Sequence, residues 1–171
     1  MGWTYTHRGR TPIKDFLKDR VNCDTHKVLD IAIINMRTAY MAVKLSDDQV
    51  VALVFLLDYR PKDDYDTGYK DMDETEGPYA YECPERILKL LTATENAYAL
   101  EWRRKCWENI DKAARVRKLK AGDKIKTKPI KFTDGAVQEE FIVDTKKPLR
   151  LIGSNGWTYR VRRHTLQEVL L

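Results

Sequence analysis

Eight consecutive apolar residues, Val50-Val51-Ala52-Leu53-Val54-Phe55-Leu56-Leu57, place the strongest constraint on this chain. A segment apolar on every side must be covered on every side, so it belongs at the centre of a layered domain. Periodicity alone leaves a doubly covered strand and a buried helix both open. The β-branched content and the turn Ser46-Asp47-Asp48 ahead of it favour the strand.

The neighbouring segments fit that centre. Ala39, Met41, Val43 and Leu45 alternate with polar or small residues, the pattern of a half-buried strand. The apolar segments 27–35, 38–45 and 49–59 therefore read as a three-stranded antiparallel meander. Upstream, Thr11-Pro12 reads as an N-cap with proline at the first helical position, and Ile13, Phe16, Leu17 and Val21 recur at helical spacing over 12–21. Residues 58–82 keep neither period and carry Pro61, Gly68, Gly77 and Pro78, so we read them as an extended acidic loop. Pro84 opens a short helix, and Thr94 reads as the N-cap of the longest helix, 95–118. Ala99, Trp102, Cys106, Ile110 and Ala113 form its apolar stripe, which should cover the sheet.

Helical periodicity stops at Leu119–Ile125 and short strand patterns follow. Asn155-Gly156 is a strong hairpin signal, and strand alternation places Trp157, Tyr159 and Val161 on one face, read as core, the competing reading being that Trp157 and Tyr159 form an exposed stacking platform for single-stranded nucleic acid beside Arg160 and Arg162. The expected architecture is α+β: a domain over 1–118, with its antiparallel sheet covered by helices and an acidic loop at 58–82, followed by a small SH3-like β-barrel module over 119–171.

No run reaches the roughly 18 apolar residues that span a bilayer, and the opening segment leads into no signal-peptide stretch, which points to the cytoplasm and away from membranes. Cys23, Cys83 and Cys106 are odd in number and irregular in spacing, so they read as reduced thiols rather than a disulfide framework. The net charge of +5 is distributed unevenly: 58–85 carries −7 and 86–131 carries +9. Such asymmetry suits either two mutually attracting faces or a surface for a charged partner.

Among chemical sites, Cys23-Asp24-Thr25-His26 has the gap of half a zinc site, but neither Cys83, Cys106, His7 nor His164 completes it at ligand spacing, and buried thiols beside a surface histidine are the simpler interpretation. Asp66, Asp71, Asp73 and Glu74 crowd the acidic loop with hard oxygen donors, yet they lack EF-hand spacing, and a solvated loop is the simpler interpretation. No phosphate-binding glycine loop occurs, and no serine or cysteine lies in a nucleophile signature. The basic residues are the best candidate. Arg103, Arg104, Lys105, Arg115, Lys118 and Lys124 run through the long helix into the first strand of the module, Arg160 and Arg162 join them, Lys146, Lys147, Arg150 and Arg163 could add to the group, and clustered cations attract phosphate backbones through counterion release. The competing interpretation is a solvated helix face neutralised by the acidic loop.

The segments Met1-Gly2-Trp3-Thr4, Gly68-Tyr69-Lys70-Asp71-Met72-Asp73-Glu74-Thr75 with Gly77-Pro78, Cys83-Pro84 and Glu101-Trp102-Arg103 resemble those of an uncharacterised family from phages, plasmids and bacterial genomes. The resemblance covers most of the chain and implies a small mobile-element protein of the bacterial cytoplasm. It brings no catalytic residue and no cofactor. Small proteins of that origin often block host defence, for example by binding a CRISPR effector. The expected function is non-catalytic binding of nucleic acid or a host nucleoprotein complex. The alternative is a metal-dependent enzyme acting on nucleic acid, with Asp71, Asp73 and Glu74 as ligands.

Overall fold

In a computed structural model of the chain, residues 2–7, 9, 11–21, 24–59 and 66–171 are described. The elements are β1 (Thr4–Thr6), α1 (Ile13–Val21), β2 (Lys27–Ile33), β3 (Thr38–Lys44), β4 (Val50–Asp58), β5 (Thr67–Asp73), a 3-10 turn (Glu74–Glu76), α2 (Glu85–Leu88), α3 (Ala97–Lys118), β6 (Lys124–Lys131), β7 (Val137–Lys146), β8 (Leu149–Gly153), β9 (Thr158–Arg160) and α4 (Arg163–Val169). The described strands form two antiparallel sheets, ordered β1-β5-β4-β3-β2 and β6-β7-β8-β9, which with the helices make an α+β protein. The chain divides into two compact units, residues 1–107 and 108–171, with α3 contributing to both.

In the first unit the apolar run is β4, the middle strand, paired with β3 on one side and β5 on the other. Its two faces are covered by different elements. On one, Ile13, Phe16 and Leu17 of α1 pack over Ala39, Met41, Val43, Phe55 and Leu57. On the other, Tyr40 lies 6.3 Å from Trp102 of α3, ring centre to ring centre, and its hydroxyl accepts the Glu82 N–H at 2.9 Å. Trp102 is buried with its indole N–H donated to the Ala80 carbonyl at 2.8 Å, so neither large aromatic leaves a polar atom unmet.

Three expectations for this unit need correction: the acidic loop, the three-stranded extent of the sheet, which has five strands, and the helix cap. The acidic loop contains an ordered strand: β5 lies inside the sheet between β4 and β1, and a 3-10 turn follows it. Its alternation is masked because Tyr69 and Met72 face opposite sides, the buried Thr67 and Gly68 are not large apolar residues, and Lys70, Asp71 and Asp73 fill the remaining positions. Tyr69 stacks on Phe55 beneath α1, while Met72 lies opposite Val54. Within the interval read as loop, the stretch 60–65 lies outside the described residues. The opening segment also contributes a strand, with Tyr5 registered on Gly68. A side chain at Gly68 would meet the Tyr5 ring at 3.0 Å and the Trp3 ring at 3.3 Å, so glycine is what lets these aromatics lie against β5. Finally, the cap of α3 is Asn96, whose side chain accepts the Ala99 N–H at 3.0 Å. Thr94 instead accepts the Asn96 N–H at 3.2 Å, two residues too early to cap the helix.

The second unit is built around Ile125, Phe141, Val143, Leu149, Leu151, Tyr159 and Val161 from the sheet region, with Val116 of α3 and Leu166 and Leu170 near the C-terminus. Phe132 stacks on Tyr159 at 3.8 Å and meets Phe141 edge-on at 6.0 Å. The sheet is a meander, and after α4 the chain reaches the outer edge of β6 through an isolated Thr127–Leu170 bridge.

Asn155-Gly156 does form the last hairpin, but through a three-residue loop, 154–156. Gly153 donates its N–H to the Trp157 carbonyl and Gly156 donates to the Gly153 carbonyl, both at 2.9 Å. Gly156 alone takes a positive φ, +79°, within that loop. Trp157 is therefore not core: it is 67 % exposed, while Tyr159 is 8 % exposed. The Tyr159 ring fills the space above Gly153, where an added Cβ would meet it at 3.1 Å, so the core ends there and Trp157 stays in solvent. Truncating Tyr159 to alanine should cost about 3–5 kcal/mol of stability, as for a core aromatic, whereas Trp157→Ala should cost less than about 1 kcal/mol. Denaturant unfolding of the two variants checks this contrast.

Candidate nucleic-acid interface

The two units differ in charge. Residues 108–171 hold fifteen Lys and Arg against eight Asp and Glu, a net +7, while residues 1–107 hold sixteen against eighteen, a net −2. An attractive field for polyanions therefore belongs to the second unit.

The candidate cations sort accordingly. Arg103, expected on the binding surface, is committed to the interior of the first unit. Its guanidinium forks onto Glu74, with Nε to Oε2 and Nη2 to Oε1 both at 2.6 Å, and Nη1 donates to the Thr92 carbonyl at 2.7 Å. The Glu74 side chain is 1 % exposed and that of Arg103 16 %. Arg104 forks onto Glu101 at 2.8 and 2.7 Å on the exposed face of α3. Arg104, first among the causes, holds the Glu101 carboxyl down to about 2. Lys105 lies 3.4 Å from Glu101 and 5.0 Å from the Tyr81 ring centre. Arg115, in the second unit, donates to the Leu171 carbonyl. Lys118, Lys124, Arg160 and Arg162 are exposed there.

Strand register places Lys124, Ile142, Ile152 and Thr158 in one row across the second sheet, and Arg150 directly opposite Arg160. Arg160 and Arg162 also meet a group for which sequence spacing gave only a general hint. Lys146 and Lys147 from the β7–β8 turn and Arg163 at the start of α4 join them around a hollow of about 360 Å³, floored by Pro148, Leu149 and Val161. The signal available in the sequence was the Lys146-Lys147-Pro148 turn itself, but nothing short of the fold brings it beside the end of β9.

The acidic residues are dispersed in role. Asp66 precedes β5 and donates its N–H to the Thr6 carbonyl at 3.4 Å. Asp71 lies opposite Phe55 within the sheet. Asp73 caps the 3-10 turn, accepting the Thr75 N–H at 2.7 Å and the Thr75 hydroxyl. Glu74 is held by Arg103, so the set Asp71, Asp73 and Glu74 does not converge on a metal, and no described group of three His, Cys, Asp or Glu does so. Cys83 and Cys106 are buried in the first unit. Burial pushes the Cys106 thiol up to about 12 and raises that of Cys83 as well. Cys23 lies outside the described residues.

Residues 93–164 match the model of a domain of unknown function, DUF6927, which spans the approach to α3 through the start of α4. No curated protein and no solved structure matches the chain. Among the described residues no helix is long and apolar enough to cross a membrane.

Two outcomes follow from this geometry. Glu74→Ala leaves a guanidinium without its buried partner and should lose about 3–5 kcal/mol, while Glu74→Leu combined with Arg103→Met should recover much of that loss. Unfolding of the single and double variants measures it. Because the thiolate is the reactive form, Cys83 and Cys106 should resist alkylation in the folded protein at pH 8 and label readily in denaturant, as site-resolved mass spectrometry would report.

Proposed function

We propose that this chain is a non-catalytic binding protein whose second unit docks nucleic acid, either free or within a nucleoprotein complex. The observation that carries this reading is the division of charge. A net +7 is concentrated in 64 residues, with Lys124, Arg160 and Arg162 exposed on or beside one small sheet and Lys146, Lys147 and Arg163 grouped with the latter two. Clustered cations of this kind bind phosphate backbones by releasing condensed counterions, without a base-reading helix. A second antiparallel meander also suits the reading of this unit as SH3-like, supported by the Thr127–Leu170 bridge that returns the chain to β6.

The likeness of the Gly68–Pro78 segment to a family of phages, plasmids and bacterial genomes supports a bacterial cytoplasm as the setting and a defence nucleoprotein, such as a CRISPR effector, as one target of this charge. The metal-enzyme alternative would require Glu74 to leave Arg103.

Fluorescence anisotropy with labelled oligonucleotides across a salt series tests the proposal. Affinity should fall steeply with salt, and reversing Lys124, Arg160 and Arg162 to Glu should flatten the log–log slope by about 2–3 units. Reversal of Arg104, already tied to Glu101, should change the slope by less than about 1 unit. Absent binding at low salt, or an unchanged slope in the triple variant, refutes the reading.

A further inference from the structure

The shallow, open hollow at the end of the second sheet gathers cations from the β7–β8 turn, the end of β9 and the start of α4. Its walls carry five cations, from Lys146, Lys147, Arg160, Arg162 and Arg163, and no acid, with the Lys146 ammonium also donating to the Arg117 carbonyl at 3.1 Å. Among the described residues no carboxylate forms an ion pair with any of them. Arg150, registered directly on Arg160, adds a sixth positive charge nearby, and like charges directly opposite destabilise a strand pair. Such repulsion within one small unit is relieved by an anion bound among the cations.

Extent and charge, rather than enclosure, favour a small anion. At about 360 Å³ the hollow lies near the lower end of ligand-pocket sizes, roughly 300–1,000 Å³, with room for one nucleotide-sized group rather than a length of duplex. Its rim is held in place by the backbone. Arg163 Nη2 donates to the Lys146 carbonyl at 3.3 Å, the Thr145 hydroxyl donates to the Pro148 carbonyl at 2.7 Å, and Val161 donates to the Leu149 carbonyl at 3.1 Å. The apolar floor of Pro148, Leu149 and Val161 lowers the local dielectric and strengthens charge interactions above it. Three guanidiniums offer planar forks that match phosphate oxygens in pairs. An internal phosphodiester carries a single charge and has chain on both sides, whereas a terminal phosphate carries about −1.5 to −2 and enters a hollow end-on.

We propose that this hollow is a phosphomonoester site, which takes the terminal phosphate of a nucleic-acid strand or a free nucleotide. The strand arm rests on the nucleic-acid reading above; the nucleotide arm does not. The test uses the full chain at physiological salt with four probes: a 5′-phosphorylated single-stranded oligonucleotide, the same oligonucleotide with a 5′-hydroxyl, a nucleoside 5′-monophosphate and the nucleoside. The phosphorylated strand should bind about tenfold tighter than the hydroxyl strand, the yield of one net charge-assisted hydrogen bond. The monophosphate, and not the nucleoside, should compete and shift amide resonances of residues 146–149 and 160–163. The Lys147→Glu, Arg162→Glu double variant alters exposed side chains and should keep its melting temperature while losing that discrimination. Should that double variant fail to fold, Lys147→Ala and Arg162→Ala singly should each weaken the discrimination. Equal affinity for both strands overturns the phosphomonoester site and leaves backbone binding standing. Monophosphate binding without any strand binding supports the site and refutes the nucleic-acid reading. Binding of none of the four probes refutes both.

Discussion

Glu74 and Arg103 meet where an isolated charge could not be kept. A carboxylate at 1 % exposure would be driven to neutrality or out to solvent unless a cation and further donors met it there, and the Arg103 fork together with the Ala52 N–H at 3.4 Å supply both. The same guanidinium accounts for the Thr92 carbonyl, and Thr92 in turn exchanges hydrogen bonds with the Val50 backbone at the start of β4. One ion pair thus ties the turn after β5, the third helix, the segment before it and the first residues of the central strand. The segments Gly68–Pro78, Cys83-Pro84 and Glu101–Arg103, which stand out in the sequence, are parts of this arrangement: a glycine under two aromatics, a capped 3-10 turn closed by Gly77 at φ +66°, a buried thiol, a buried Trp102 and the half-buried Arg103. Their specificity is first of all architectural.

What was legible in the sequence follows from what leaves a periodic trace. β2, β3, β4 and α1 were read correctly because burial on one or both faces repeats apolar residues every two or every three to four positions. β5 was not, because its two core residues face opposite ways and an interior strand rich in Asp and Lys at its other positions looks like a solvated loop. Arg103 could not be separated from Arg104 by composition: one residue of helical rotation decides whether a cation faces a buried carboxylate or water. Trp157 followed strand alternation on paper, but the loop closing the hairpin has three residues and Gly153 yields its space to Tyr159, so alternation ends one residue early. Of the candidate site, the presence of excess positive charge was visible, and its gathering around one hollow was not, since that depends on how the β7–β8 turn and the end of β9 approach each other.

The charge partition gives the two units different work. The first gathers its ion pairs within itself, Arg86 on Asp30, Lys89 on Glu85, Arg104 on Glu101, so its surface charge is largely internal balance. The second carries its cations on a sheet with an apolar interior and few acids to meet them. Fold is secured in one, and charge is left available in the other.

The register of Arg150 on Arg160 has a consequence for the lifetime of the molecule as well as for what it binds. Folding brings these two charges and their neighbours together, so their repulsion works against the compactness of the second unit. An anion that recognises the assembled cluster has no equivalent partner in the unfolded chain, and by mass action it shifts the balance toward the folded form in proportion to its concentration over its dissociation constant. Since quality control acts on the unfolded fraction, the persistence of this protein in a cell would track the supply of whatever anion fills that place.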